Sequence, residues 1–172
     1  MGLPDKIGNA IPIWYHKWRI KMPDLAYKVN AERTGPTCVS VETRDFCFQV
    51  DEPESLGGKN AAPNPVDYLL GAYAGCLNVM GNMIANEMGI KIDSLKIDIE
   101  GKLDPAGFLG TDPAVRPGLK EINVTLNVES SADQEDMEDW LEAINDRGPI
   151  GDNLKNPTPI TTKMNILEMV KG

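Results

Sequence analysis

Apolar and polar positions along residues 64–89 follow the period of an amphipathic helix. Asn64 is a favourable N-cap, Pro65 suits the first helical position, and Gly89 is a typical stop signal. At about 100° per residue, one stripe of this helix collects Leu69, Tyr73, Cys76, Met80 and Met83. The pattern predicts a long helix in which the Cys76 thiol points into a core or a pocket.

Three short strands are predicted before this helix, over residues 26–31, 37–43 and 45–51. Alternation of apolar and polar residues is typical of half-buried strands, and Arg44-Asp45 is expected to turn the last two into a hairpin. Cys38 and Cys47 are predicted to point away from the core face. That face is predicted to carry Val39, Val41, Phe46, Phe48 and Val50.

After Gly89 the pattern predicts a strand over 95–103, a long loop over 104–118 and a strand over 121–128. A second helix follows Ser130-Ser131, with acidic residues that favour its N-terminus, and it ends at Gly148-Pro149. Its apolar stripe consists of Met137, Trp140, Leu141 and Ile144. A turn at 152–155 and a closing strand over 161–170 complete an α+β order.

Residues 23–172 are predicted to form a single domain, because no repeat, low-complexity tract or domain boundary interrupts them. Residues 1–22 differ from the rest of the chain in composition and are predicted to form an aromatic-rich N-terminal extension. Trp14 and Trp18 are four residues apart, which places both on one face if the segment is helical. We expect this extension to dock on its own domain or on a partner subunit, with His16 serving packing or lying at the surface.

Charge and composition exclude several function classes. A net charge of −9 argues against nucleic acid or an anionic membrane as a partner. No run of apolar residues is long enough to span a bilayer, and the N-terminus does not resemble a signal peptide, so we expect a cytoplasmic protein. Three cysteines are too few for a disulfide scaffold, and one histidine disfavours hydrolase triads and most zinc sites. No metal or organic cofactor is expected.

Several short motifs resemble one family. They are Leu56-Gly57-Gly58, Ala62-Pro63-Asn64-Pro65, Leu69-Leu70-Gly71-Ala72, Gly75-Cys76 and the late Arg147-Gly148-Pro149-Ile150. Together with the order of elements they resemble the OsmC/Ohr family over roughly residues 25–170. This resemblance implies an α+β, OsmC/Ohr-like fold, with antiparallel sheets packed around a long central cysteine-bearing helix. It also implies an intertwined homodimer with sites at the subunit interface.

The resemblance implies a catalytic role for Cys76. Characterised members of the family reduce organic hydroperoxides with a thiolate, which becomes sulfenic acid and is captured by a second cysteine. In this chain the position of that second, resolving cysteine is occupied by Gly148. A glutamate that the hydroperoxide-resistance branch places ten residues before the first cysteine is here Val66. Cys38 or Cys47 is a conceivable replacement for the resolving thiol, although nothing in the sequence places either beside Cys76.

Activation of Cys76 would need a nearby cation, because a free thiol is only slightly ionised at neutral pH and the helix N-terminus is more than two turns away. The hydroperoxide-resistance branch uses an arginine in the loop after the first strand, and Arg33 lies near that loop. Arg147 is a second candidate, since it adjoins Gly148. For each arginine a solvated surface charge is the simpler interpretation.

Two functions therefore compete, with a third possibility beside them. The first is a one-cysteine thiol peroxidase in which Cys76 is regenerated by an external thiol reductant. The second is a non-catalytic OsmC-like homodimer that binds a small hydrophobic ligand at the subunit interface, in a pocket lined by Tyr73, Met80, Met83 and Trp140. The third is a purely structural dimer whose function lies in the aromatic extension.

Overall fold

A computed structural model describes residues 23–167. The N-terminal extension that the sequence predicts over residues 1–22 lies outside this range. The elements in chain order are strands β1 (Asn30–Arg33), β2 (Val39–Thr43) and β3 (Phe46–Val50), helix α1 (Pro65–Met88), strand β4 (Ile92–Lys102), helix α2 (Pro105–Phe108), strand β5 (Glu121–Ser130), and helices α3 (Gln134–Arg147) and α4 (Pro149–Lys155). The predicted α+β order is confirmed up to α4.

Strands β1, β2 and β3 form an antiparallel sheet, here called sheet A. Val39 pairs with Val50, and Val41 pairs with Phe48, so the apolar residues share one face as predicted. The predicted Arg44-Asp45 turn is also confirmed, with Arg44 at a φ of 52°. The first strand begins at residue 30 rather than 26; Asn30 pairs with Glu42, so β2, which ends at Thr43, has no residue opposite positions 26–28.

Helix α1 begins and ends where the sequence predicts. Its N-cap is a capping box: the Asn64 side chain accepts from the Asp67 N–H at 2.9 Å, and the Asp67 carboxylate accepts from the Asn64 N–H at 3.1 Å. Gly89 ends the helix in the left-handed region, at a φ of 74°, and its N–H donates to the Ala85 carbonyl. Cys76 therefore lies in the middle of a well-capped helix.

The hydrophobic core lies where α1 meets α3 and the β4–β5 pair, here called sheet B. Alternate apolar side chains of both strands pack against it, as the period of two requires. Trp140 is 2% exposed, and its Nε1 donates to the Gly81 carbonyl oxygen at 2.8 Å. The buried members of the core are Tyr73, Leu77, Met80, Ile84, Ala85, Trp140 and Ile144.

Sheet A meets the rest of the chain near the start of α1. The Tyr68 ring lies 5.0 Å from the Phe48 ring, and the Tyr68 hydroxyl donates to the Gln49 carbonyl at 2.7 Å. Among the residues of the three strands, only Val41 is fully buried, and all four residues of β1 are exposed. Among the described residues, one face of this sheet is therefore largely exposed, and the face that carries Val41 and Phe48 is only partly covered.

The loop from β3 to α1 is built around the buried carboxylate of Asp51, which is 1% exposed. Thr37 Oγ1 donates to this carboxylate at 2.8 Å, and the N–H groups of Lys59 and Ala61 donate at 3.0 and 3.2 Å. The Thr37 hydroxyl and these amide hydrogen bonds lower the pKa of Asp51 to about 2. A Cβ on Gly58 would lie 1.8 Å from the Glu52 carbonyl oxygen, so only glycine fits at this position of the loop.

The closing strand predicted over 161–170 is wrong for residues 161–167, which have no regular secondary structure; residues 168–170 are outside the described range. A strand needs a partner for its backbone hydrogen bonds, and neither sheet places one beside this segment. Its apolar side chains are more than four-fifths exposed: Ile160 at 87%, Met164 at 81%, Ile166 at 83% and Leu167 at 86%. Within residues 23–167, this segment therefore has neither a strand partner nor a surface that buries its apolar side chains.

Candidate functional site

Cys76 lies on α1 directly opposite Gly148, the residue that joins α3 to α4. A Cβ built on Gly148 would stand 3.9 Å from the Cys76 sulfur. Gly148 is buried, and its backbone (φ −75°, ψ 110°) is open to any residue type. Cys76 is half-buried and packs against the hydrophobic core. The site therefore combines one partly accessible thiol with an adjacent position that carries no side chain.

Tyr73 lies one turn before Cys76 and faces α4. A Cβ on Gly151 would contact the Tyr73 ring at 3.3 Å and its hydroxyl oxygen at 3.5 Å. Burial raises the pKa of Tyr73, and the neighbouring Cys76 thiol raises it further. Tyr73 therefore stays neutral at physiological pH and can act there only as a hydrogen-bonding or packing group.

The two arginines that the sequence suggests as activating cations do not contact Cys76 in the described chain. Arg33 is at the end of β1, where its Nε donates to the Gly35 carbonyl at 3.0 Å. The Arg147 guanidinium makes two hydrogen bonds to the Glu87 carboxylate, of 2.5 and 3.0 Å. This ion pair lowers the pKa of Glu87 and raises that of Arg147. The charge of Arg147 is thus already compensated.

Within residues 23–167 of one chain, the four residues predicted to line a ligand pocket have different surroundings. Met80 and Trp140 belong to the buried core, where Trp140 closes over Gly81. Met83 is 42% exposed, to one side of the buried face of α1. Tyr73 borders a cavity that is open to solvent. The buried face of α1 is centred on Leu77, Met80 and Ile84. The stripe that the sequence predicts is therefore displaced around the helix from the face that is buried.

The other two thiols lie in or beside sheet A: Cys47 is in β3, and Cys38 directly precedes β2. Cys47 is exposed opposite Glu42, and its sulfur lies 3.4 Å from the Ser40 hydroxyl. Neither thiol belongs to the hydrophobic core against which Cys76 packs. Within residues 23–167, no three His, Cys, Asp or Glu side chains are grouped to hold a metal ion. In the same range, no helix has the length and apolarity needed to cross a membrane.

A cavity of about 410 Å³ opens beside Tyr73, between α1, α4, β5 and the loop before β5. We call it the α4 cavity. Its apolar lining includes Leu69, Tyr73, Ile122, Val124 and Leu154, and Arg116, Lys120, Glu121 and Lys155 also border it. Sequence analysis missed this cavity, because its walls come from four separate segments. The glycines at positions 118 and 151, both in its lining, are the one local signal of the space.

Comparison with known proteins identifies the fold. A family model described as OsmC-like protein matches residues 57–163. This range contains α1 with Cys76, sheet B and the junction at Gly148. No curated protein matches the chain significantly.

Solved structures agree with this match. The crystal structure of an OsmC-like protein from Mycoplasma pneumoniae has a TM-score of 0.68 at 20% sequence identity, and the alignment covers 78% of this chain and 91% of that one. An organic hydroperoxide resistance protein OsmC from Legionella pneumophila has a TM-score of 0.57 at 20% identity, with coverages of 78% and 92%. The organic hydroperoxide resistance protein OhrB of Bacillus subtilis has a TM-score of 0.52 at 22% identity, with coverages of 77% and 93%. At these identities the likeness establishes the fold.

Proposed function

Because this chain belongs to the OsmC-like protein family, we propose that it is a one-cysteine thiol peroxidase that reduces organic hydroperoxides through Cys76. The observation that carries the proposal is the half-buried Cys76 thiol facing the side-chain-free position of Gly148. Two structural neighbours are described as organic hydroperoxide resistance proteins, which supports this choice of substrate. The apolar surroundings of Cys76 suit a peroxide with an organic substituent.

The reaction proceeds in three balanced steps. The Cys76 thiolate attacks the distal oxygen of the hydroperoxide, the O–O bond breaks, and the alkoxide takes up a proton to leave as the alcohol. Cys76 is then a sulfenic acid. An external thiol displaces water from this sulfenic acid to form a mixed disulfide with Cys76. A second external thiol then attacks the external sulfur of that mixed disulfide, which releases the Cys76 thiol and leaves the two external thiols joined as a disulfide. One hydroperoxide and two thiols thus give one alcohol, one disulfide and one water.

The proposal includes a homodimer in which the second copy covers α1 and its sheet A brings Arg33 to Cys76. The open face of α1 supports this arrangement: among residues 23–167, Cβ atoms on Gly71 and Gly75 would meet nothing within 4 Å, and Val79 is 62% exposed. Within residues 23–167, sheet A is only partly covered: all four residues of β1 are exposed, and Val41 is the one fully buried residue of its strands. Small residues on a helix let another element approach closely, and open apolar surface favours association.

The first experiment treats the reduced full chain with one equivalent of cumene hydroperoxide in the presence of dimedone, which traps sulfenic acids, and measures intact mass. We expect one dimedone adduct on Cys76 and recovery of the thiol by dithiothreitol when dimedone is omitted. The Cys76→Ser variant should lose peroxide turnover, whereas the Cys38→Ser/Cys47→Ser variant should retain it. Turnover that survives Cys76→Ser would overturn the proposal.

The role of Arg33 has its own test. If Arg33 stabilises the Cys76 thiolate, Arg33→Gln should shift the pH profile of Cys76 alkylation to higher pH, because a nearby cation favours the ionised thiol. Arg44→Gln is the matched control, since Arg44 is an exposed guanidinium in the same sheet and lies 5.0 Å from the Phe46 ring. Equal profiles for both variants would refute the assignment.

A non-catalytic dimer that binds a small hydrophobic ligand is the second candidate function. The observation in its favour is that neither Arg33 nor Arg147 contacts Cys76 within the described chain. A Cys76 that remains unmodified by cumene hydroperoxide, in a protein that still binds an apolar fluorescent probe after Cys76→Ser, would favour this candidate over the peroxidase.

A further inference from the structure

We propose that the α4 cavity is a binding site for an anionic amphiphile, a carboxylate carrying an aliphatic chain. This site is separate from the thiol chemistry, because Cys76 is not among the residues that line it. The inference therefore does not depend on whether Cys76 reduces peroxides.

The volume and the walls of the cavity suit a small apolar body. Its volume of about 410 Å³ falls within the usual range for small-molecule sites, roughly 300–1,000 Å³. Leu69 and Tyr73 of α1, Ile122 and Val124 of β5, and Leu154 of α4 supply apolar surface from three elements. An aliphatic chain buried there would be stabilised by the removal of its CH₂ groups from water.

Two glycines keep the cavity open. A Cβ on Gly151 would press on the Tyr73 ring at 3.3 Å, and a Cβ on Gly118 would reach the Arg116 Nε at 3.5 Å. Larger side chains at these positions would fill the space beside Tyr73 or displace the guanidinium. The absence of side chains at both positions accounts for the room that a ligand would occupy.

The charges at the rim favour an anion. Lys120 is paired with Asp104 at 2.7 Å, and Glu121 is 3.5 Å from Lys102. Arg116 and Lys155 have no carboxylate partner within residues 23–167. Two uncompensated cations beside one apolar cavity are notable in a chain with a net charge of −9. A carboxylate at the mouth would satisfy them while its chain lies on the apolar wall.

The loop that carries Arg116 is held in place by a close backbone contact. A Cβ on Gly107 in α2 would lie 2.7 Å from the Arg116 carbonyl oxygen and 2.8 Å from that of Val115, so α2 packs directly on this part of the loop. The Asp104 carboxylate caps α2 by accepting from the Ala106 N–H at 3.1 Å, and it also pairs with Lys120. Arg116 therefore projects from a braced segment, which lowers the entropy cost of binding an anion there.

The test compares decanoate with decanol, which has the same chain length and no charge, by isothermal titration calorimetry on the full chain at low ionic strength. We expect decanoate to bind more tightly than decanol. Arg116→Gln/Lys155→Gln should weaken decanoate binding roughly five- to twenty-fold, if each partly exposed ion pair is worth up to about 1 kcal/mol. Decanol binding should stay unchanged in this variant, and added salt should weaken only decanoate binding.

Arg44→Gln serves as the control, because it removes an exposed guanidinium that does not border the cavity. The same titrations in the Cys76→Ser variant separate this inference from the proposed peroxidase. Decanoate binding that is retained there supports an independent site. Equal affinities for decanoate and decanol, no decanoate binding, or decanoate binding that is unchanged by Arg116→Gln/Lys155→Gln would each overturn the proposal.

Discussion

Gly148 and Cys76 face each other across the contact between α1 and the α3–α4 junction, with 3.9 Å between a Cβ built on Gly148 and the Cys76 sulfur. In a disulfide, each Cβ lies about 3 Å from the partner sulfur, so a shift of about 1 Å would bring a cysteine at this position into bonding range. Position 148 is therefore close enough to Cys76 for a thiol introduced there to test the contact.

Gly148→Cys should therefore form a disulfide with Cys76 after one equivalent of hydroperoxide. The disulfide would be detected by intact mass and by peptide mapping without reduction. Gly148→Ser is the matched control, since it adds a similar side chain that cannot form the bond. A sulfenic acid that persists on Cys76 beside the new thiol would contradict the prediction. The Cβ would also lie 2.9 Å from the Ile144 carbonyl, so we expect a loss of stability of about 1–3 kcal/mol from crowding.

Gly75→Leu should convert the proposed dimer to a monomer. A Cβ at Gly75 meets nothing within 4 Å in the part of the protomer that the structure describes, so the leucine can be accommodated there but would obstruct a second copy on this face. Light scattering coupled to size exclusion would measure the mass. Glu142→Leu, on the exposed side of α3, is the control for added apolar surface. A wild-type monomer, or a variant that remains dimeric, would exclude this face as the interface.

Asp51→Asn should reduce stability at neutral pH and flatten its dependence on pH in acid. The folded pKa of Asp51 is about 2, below the value of about 3.9 for an unfolded aspartate. The carboxylate therefore contributes its full stabilisation above about pH 4 and loses it as the pH falls through about 2. Urea unfolding at several pH values would measure this effect. If the free energy of unfolding falls as steeply in acid for the variant as for the wild type, Asp51 is not the group responsible for that fall.

Gly81→Ala should destabilise the protein although alanine is the better helix former. The new Cβ would lie 2.9 Å from Trp140 Cζ2, and crowding in a packed core costs about 1–3 kcal/mol, which exceeds the gain of about 1 kcal/mol in helix propensity. Trp140→Phe removes the crowded ring atoms and the 2.8 Å bond to the Gly81 carbonyl. In that background Gly81→Ala should become neutral or stabilising. If the changes in free energy of unfolding caused by the two single substitutions simply add in the double variant, this coupling is refuted.

Local signals in the sequence predict much of this fold. Asn64, Pro65 and Gly89 define α1 because capping and chain reversal depend on the residue types at a helix end. Alternation places Val41 and Phe48 on one face of sheet A, because a strand has a period of two. The sequence predicts loop where the structure has the short helix α2, which is a single turn capped by Asp104 and begun by Pro105.

The arrangement of the site was predictable only in part. The motif around Gly148 pointed to the residue opposite Cys76, and the structure places the two in contact range. The exposure of Met83 was not predictable from the sequence. The five residues of the predicted stripe occupy a range of angles around the helix axis, and the packing of α3 determines which part of that range is buried. The pairing of Arg147 with Glu87 joins residues sixty positions apart, and no local pattern encodes such a contact.

The limited attachment of sheet A has a consequence for local opening of the chain. Its contacts with α1 are concentrated at Tyr68, and its strands bury little of their surface. Regions with few buried contacts open at low free energy, whereas core strands open only when the whole domain unfolds. Within one chain, amide protons of β1 and β3 should therefore exchange with solvent well before those of β4 and β5, and anything that covers sheet A would slow them first.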